Sequence, residues 1–375
     1  MKTVKVVLSI TLFLILYTSI HLYFAWLFSY VIETVTGVQS FWLIAILFLL
    51  AGYSFPLGQM IKPLRVLKTF GAIWFGFIQF AFLVFPAAHA IVWIASRTGI
   101  PFEPLVYSAG VSVFLLFIIY AAVGYYFANS PVIRDHSIRV NKVSTELTEM
   151  KAAVISDTHF GPLAGRAAVE RLLEKLTSLN PDIIFIVGDF VDDEPDYFVQ
   201  HGLHQLFKKL KAPLGIYGVL GNHEYYGGKR KEITEMMENI GIHVLLDDVH
   251  TIDGKLQIVG RRDKTDRKRH SVERLFQDQA IKGELPLVVL DHQPVELESF
   301  PEYPVHMSLS GHTHRGQIWP NHVFTQKLFP LDWGYKQFGQ VHSFVSSGYG
   351  FWGPPLRIGS RSEILFIQVS FSGAP

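Results

Sequence analysis

Cysteine is absent from the 375 residues, which excludes a disulfide framework and any thiolate metal site. Charge is scarce: Asp, Glu, Lys and Arg make up 17% of the chain, where about 25% is usual. With hydrophobic residues at 49%, that scarcity excludes a disordered or low-complexity protein. Neither sign is in surplus, at 33 basic against 32 acidic residues. The balance therefore speaks against nucleic-acid binding as the main task, since such proteins carry basic surfaces. The scarcity is also uneven. Before Pro131 the basic residues are only Lys2, Lys5, Lys62, Arg65, Lys68 and Arg97, and the acidic ones only Glu33 and Glu103. A charge-starved first third is followed by a part with an ordinary soluble composition. The chain thus reads as two parts: residues 1–130 apolar, 131–149 a linker, and 150–375 a folded domain.

Four apolar stretches fill the first third, over residues 4–32, 41–60, 70–95 and 105–128. A helix needs about 20 apolar residues to span a bilayer. The first, third and fourth meet this easily; the second is interrupted by Gly52, Pro56 and Gly58, so its end is open. The first is too long for the apolar region of a cleaved signal peptide. Four transmembrane helices are expected, and the protein reads as a multi-pass cell-membrane protein. Lys2 and Lys5, then Lys62, Arg65 and Lys68, then Arg134, Arg139 and Lys142 mark one side, and the intervening loops carry only Arg97. Basic loops stay on the cytoplasmic side. The second part is therefore expected in the cytoplasm. Within the spans only His21, His89 and Gln79 are polar enough to suggest a pathway, and no charged residue sits mid-span. An anchor or packed bundle is the simpler reading.

From Met150 short apolar runs alternate with helical segments, which argues for a layered α/β domain. Strands are expected near residues 151–156, 182–187, 214–220, 287–290 and 306–309. A single helix is expected over 197–210, and further β-structure after Val323. The residues directly behind each strand are more informative. The five strand ends deliver Asp157-Thr158-His159, Gly188-Asp189, Gly221-Asn222-His223-Glu224, Asp291-His292 and Gly311-His312-Thr313-His314. Sites in α/β sheets form beyond the carboxyl ends of strands, so these residues are expected to converge. Imidazoles and carboxylates without thiolates suit divalent transition metals. His312 and His314 can face different ions, and one carboxylate such as Asp189 can bridge two. Two ions about 3.5–4 Å apart form the clamp used for displacement at phosphorus, with a bridging water activated as nucleophile.

The ordered series DTH, GDFVD, GNHE, DH and GHTH resembles the calcineurin-like metallophosphoesterase superfamily over about residues 151–314, and the tail is similar to its membrane-tethered bacterial branch. The resemblance implies two facing mixed β-sheets flanked by helices and a pair of divalent ions, with Mn, Fe or Zn the usual choices. It implies Asp157, His159 and His314 as ligands of one ion and Asn222, His292 and His312 as ligands of the other. Asp189 would bridge them, and His223 would protonate the leaving group. It implies a phosphate mono- or diesterase, or a pyrophosphatase, and tethering suits a lipid-linked substrate. Arg262 and Arg357 are the candidate substrate-binding residues. The cluster Arg261, Arg262, Lys264, Arg267, Lys268 and Arg269 is either a solvated loop or a contact for anionic lipid headgroups or substrate phosphates. The apolar run Tyr349, Phe351 and Trp352 is either core, a rim of the site, or a surface resting on the bilayer. The alternative function is a membrane sensor or transporter with a regulatory phosphoesterase-like cytoplasmic module. Protein partners are not legible.

Overall fold

The computed structural model describes residues 2–61, 64–141, 146–278 and 281–372. Lys62 and Lys142, two of the residues used to orient the chain, lie outside them. The chain divides into two units, residues 1–123 and 124–375.

The first unit is helical. Helices α1 (Lys2–Thr36), α2 (Phe41–Met60), α3 (Arg65–Ser96) and α4 (Phe102–Asn129) are each long and apolar enough to cross a membrane. Despite Pro56, α2 continues to Met60. The two membrane histidines are spent on helix packing. His21 is buried, with Nδ1 on the Tyr17 carbonyl (2.9 Å) and Nε2 accepting from Trp74 Nε1 (3.2 Å). His89 meets the Tyr23 hydroxyl at 3.0 Å.

The second unit begins with the last turn of α4. Its strands are β1 (Val132–Asn141), β2 (Glu149–Ile155), β3 (Ile183–Val187), β4 (Ile216–Val219), β5 (His243–Val244), β6 (Asp248–Ile252), β7 (Leu256–Gly260), β8 (Leu287–Leu290), β9 (Met307–Ser310), β10 (Gly334–Phe338), β11 (Val341–Val345) and β12 (Glu363–Ser372). The helices are α5 (Arg166–Leu179), α6 (Asp196–Gln200), α7 (Leu203–Phe207), α8 (His223–Tyr226), α9 (Arg230–Asn239), α10 (Val272–Asp278) and α11 (His322–Leu328). One six-stranded sheet runs β1-β12-β2-β3-β4-β5 and the other β10-β11-β9-β8-β7-β6. Both are mixed. In the first, β2, β3, β4 and β5 pair parallel while β12 is antiparallel to β2. In the second, β7, β8, β9 and β11 pair parallel, with antiparallel edges. The central strands are buried along their whole length, which is why they read as continuous apolar runs.

Three apolar layers hold the unit together. Val154, Phe185, Val219, Ile258, Leu290, Leu309 and Phe344 fill the space between the sheets. Ile155, Leu172, Ile186, Phe198 and Met237 join the first sheet to α5, α6 and α9. Val259, Leu275, Val289 and Val345 cover the outer face of the second.

Three expectations are corrected. Residues 132–141, expected within a linker, form β1, parallel to β12 from Val132↔Glu363 to Asn141↔Ser372. It reads as a linker because it is an edge strand: only Ile138 and Val140 are buried, while Arg134, Asp135, Ser137, Arg139 and Asn141 are exposed. The helix expected over 197–210 is two helices, broken where Gly202 takes φ 68°. The β-structure expected after Val323 is present as β10, β11 and β12, but it is preceded by α11, whose residues are all at least partly exposed.

Candidate metal centre

The carboxyl ends of β2, β3, β4, β8 and β9 deliver the expected side chains to one place. The backbone there is bent sharply. Asp157, His159, Asp189, His312 and His314 all have positive φ, between 44° and 72°. The left-handed conformation costs roughly 1–2 kcal/mol per non-glycine residue, so five in one site are held by the fold around them. Close approach demands the glycines beside them. A Cβ at Gly221 would overlap Asp189 Oδ1, and one at Gly311 would overlap Asp157 Oδ2.

Three trios of side chains bring ligand atoms within 4.8 Å of one another. One of them, His159, Asp192 and His223, shares His159; the two principal trios are Asp157, His159 and His314, and Asp189, His292 and His312. Asp189 stands between them: its Oδ2 lies 3.7 Å from His159 Nε2 and 3.2 Å from His292 Nε2. Its Oδ1 accepts from the His223 backbone N–H at 2.9 Å. Asn222, the seventh expected ligand, is buried with Oδ1 unpartnered. Arrangement and electrostatics fit divalent cations. His159 Nε2 and His314 Nε2 point at each other across 3.1 Å, beside two carboxylates. Burial pulls His159 down to about 3 and His312 to about 4, and holds His314 well below the usual histidine range. These imidazoles are neutral and keep lone pairs for a metal. His292 directs Nδ1 at the Val187 carbonyl (2.8 Å), which leaves Nε2 facing the centre. Burial disfavours a charge on His292, but Asp189, with Asp157 and Asp263, raises this histidine well above its usual range: the surrounding carboxylates favour positive charge at that position.

His223 opens α8 and its ring lies 4.6 Å from that of His159. Its Nδ1–H is committed to Asp193 Oδ1 at 2.7 Å, with Asp192 at 3.6 Å. Burial opposes protonation, yet Asp189, Asp193 and Asp192 together lift His223 to about 9. Exposed Tyr226 and half-exposed Trp352 flank it, with ring centroids 5.4 and 6.2 Å away.

The two candidate substrate arginines are placed otherwise than expected. Arg357 is wholly buried. It donates to the carbonyls of His314 (3.3 Å), Ser347 (2.6 Å) and Gly350 (2.7 Å) and to Ser360 Oγ (3.3 Å). It therefore supports the turn that carries His314 and offers no donor to a substrate. Arg262 is paired with Asp266 (3.0 Å) and Asp247 (3.6 Å). Its neighbours in the basic cluster divide. Arg261 and Arg269 both reach Asp291 and Glu296, at 3.2 Å for Arg261–Asp291 and 2.7 and 2.8 Å for Arg269. Only Lys264, Arg267 and Lys268 are exposed, so the cluster is not a basic patch of six.

Two features escaped the sequence. Glu224 is buried, and its two oxygens accept from four backbone amides: Phe190 (2.8 Å) and Val191 (3.1 Å) at Oε1, Asp189 (3.0 Å) and Gly221 (2.7 Å) at Oε2. It fastens the loop after β3 to the loop after β4. Its one sequence signal is an acid three residues after a strand-end glycine. Asp193, which orients His223, is a second aspartate directly after Asp192, and nothing local distinguishes the two.

Known proteins resemble the chain over this unit. A family model described as calcineurin-like phosphoesterase matches residues 150–316. A metallophosphoesterase of Aquifex aeolicus is 30% identical over 257 residues, 64% of this chain and 95% of its own length. One of Helicobacter pylori is 33% identical over 245 residues, 64% of either chain. A zebrafish transmembrane protein with a metallophosphoesterase domain is 30% identical over 250 residues, 63% of this chain and 57% of that one. The match spans little more than half of the worm, zebrafish and bovine relatives, at 52%, 57% and 59% of their lengths. The matched family model, a relative matched over nearly its whole length, and imidazoles and carboxylates from five strand ends converging around Asp189 lead to one conclusion: the chain belongs to the calcineurin-like phosphoesterase family.

Proposed function

We propose that the protein is a membrane-anchored, metal-dependent phosphoesterase whose catalytic unit lies on the cytoplasmic side. The observation that carries this reading is the placement of Asp189 Oδ2 between the two trios, 3.7 Å from His159 and 3.2 Å from His292. Asp157, His159 and His314 would hold one divalent ion, Asn222, His292 and His312 a second, and Asp189 both. Such a pair, Mn, Fe or Zn by its nitrogen-rich ligands, polarises phosphoryl oxygens and supplies an activated water at neutral pH.

The chain's own residues do the rest. Asp193 fixes the His223 ring through Nδ1, so Nε2 is the nitrogen left to give a proton to the departing oxygen. Glu224 keeps the loops bearing Asp189 and Asn222 in register. Arg357 does the same for His314. The substrate reading is a phosphate mono- or diester, or a pyrophosphate, on a lipid-borne molecule. The four membrane-length helices and the exposed aromatics beside His223 support it. The cytoplasmic side is supported by the basic loops.

Full-length protein in detergent should hydrolyse p-nitrophenyl phosphate esters with bound Mn, Fe or Zn, lose that activity to a chelator and regain it with metal. Two tightly bound ions with no hydrolysis of any mono- or diester would favour a regulatory module instead. A reporter fused after Pro375 should be active only if it is a cytoplasmic one.

A further inference from the structure

The turn that carries His314 continues into a surface that holds none of the candidate metal ligands. Trp319, Val323, Phe324, Leu328 and Trp352 are all exposed there, Phe324 by 64% and Leu328 by 73%. Single exposed apolar side chains are ordinary, but a group of large ones marks an interaction surface. α11 supplies three of the five and buries none of its residues, so these side chains do not serve the core. The surface is held from beneath by polar ties. Gln317 Nε2 donates to the carbonyls of Trp352 (2.9 Å) and Pro354 (3.2 Å), and its Oε1 accepts from Trp352 N–H at 2.9 Å. Trp319 N–H donates to the Ile358 carbonyl at 2.7 Å.

The neighbours of Ile358 indicate the occupant. The segment 356–362 is seated on residues 124–130, the end of α4. Arg357 N–H donates to the Gly124 carbonyl (2.9 Å) and Ser362 N–H to that of Phe127 (3.1 Å). Leu356 and Ile358 pack over Gly124, where an added Cβ would meet them at 3.1 and 3.4 Å. The Arg361 guanidinium donates to the Ser130 carbonyl (2.9 Å) and lies over the rings of Tyr126 and Phe127. The apolar surface is thus continuous, through Ile358, with the terminus of a helix long enough to cross a membrane. Tryptophans, aromatics stacked under an arginine and the exposed Lys327 make up the chemistry of a membrane–water interface, where ring bodies sit in the headgroup region and charges face water.

We infer that Trp319, Phe324, Leu328 and Trp352 form a bilayer-docking surface, seated at the headgroup–acyl boundary. Its consequence for the enzyme rests on the phosphoesterase reading: Trp352, beside His223, would hold the leaving-group side of the centre at headgroup depth.

The test uses the full chain and requires no activity. Because the protein has no cysteine, Phe324→Cys and Leu328→Cys each create one unique position for a spin label. Glu284→Cys, exposed ahead of the amino end of β8 and so at the opposite end of the strands from the site, serves as control. The labelled proteins are reconstituted in phosphatidylcholine–phosphatidylglycerol vesicles. Collision rates with oxygen, which concentrates in lipid, and with a water-soluble nickel chelate are then compared. The expected result is an oxygen-to-nickel ratio severalfold higher at 324 and 328 than at 284. Ratios at 324 and 328 equal to that at 284 overturn the docking surface. Hydrolysis of p-nitrophenyl esters by the same samples reports separately on the phosphoesterase reading.

Discussion

Replacing Glu224 by Gln keeps the size of the side chain and removes one of its two acceptors. In the native protein each carboxylate oxygen takes two backbone N–H groups. A glutamine can place its oxygen toward one pair only; its NH2 group then faces the other pair, donor against donor. The site is fully buried, so no water makes up the loss. A buried polar group left without its partner costs about 1–3 kcal/mol, and two such groups cost about 2–6 kcal/mol. Against a typical domain stability of about 5–15 kcal/mol this is a large fraction. For a unit of this size each kcal/mol shifts the melting temperature by about 2–4 °C. Glu224→Gln should therefore melt roughly 5–20 °C lower than the parent, measured on full-length protein in one detergent. Since two of the affected amides belong to Asp189 and Gly221, bound metal should also fall. An unchanged melting temperature with full metal content would show that the loops after β3 and β4 do not depend on this carboxylate.

Other substitutions probe the remaining assignments. Asp189→Asn should lose bound ions and turnover together, and a variant with two ions per chain and normal kcat would remove Asp189 from its bridging place. His223→Ala should keep its metal while kcat falls by about 10²–10⁴; the fall should be smaller for p-nitrophenol than for an alkyl leaving group, and an equal fall for both would contradict proton transfer to the leaving oxygen. Arg269→Gln removes one cation from a partly buried network with Asp291 and Glu296, in which Arg261 remains, and should destabilise the unit by about 1.5–3 kcal/mol, whereas Lys268→Gln, an exposed change, should stay within about 0.5 kcal/mol; similar melting temperatures for the two would mean that the cluster is solvated throughout.

The convergence of the strand-end histidines and carboxylates was legible because each block sits directly behind an apolar run. Burial on both faces makes the central strands read as unbroken hydrophobic stretches, and an α/β sheet presents its carboxyl ends to one side. The four membrane-length helices were legible because length and apolarity alone set them apart. β1 was not. An edge strand with one buried face of two residues has too weak an alternation to separate from a linker. The arginines are hidden on similar grounds. Arg261 and Arg357 are among the largest fully buried side chains of the unit, yet in the sequence they look like any surface cation.

By itself, the sequence determined which chemical groups the strand ends deliver: imidazoles and carboxylates without thiolates, a chemistry carried by the residue types. It also determined that the chain has a part fit for lipid and a part fit for water. The tertiary structure alone decided which charges are spent internally and which surfaces are left over. Arg357 meets His314 across 43 residues, Arg261 meets Asp291 across 30, and Arg134 beside β12 meets Glu363 across 229. No local pattern encodes such pairs. Whether a guanidinium binds a substrate or a carbonyl depends on which distant strand end the fold brings within about 3 Å of it, the reach of a hydrogen bond, and that is settled only when the two sheets close on their common core.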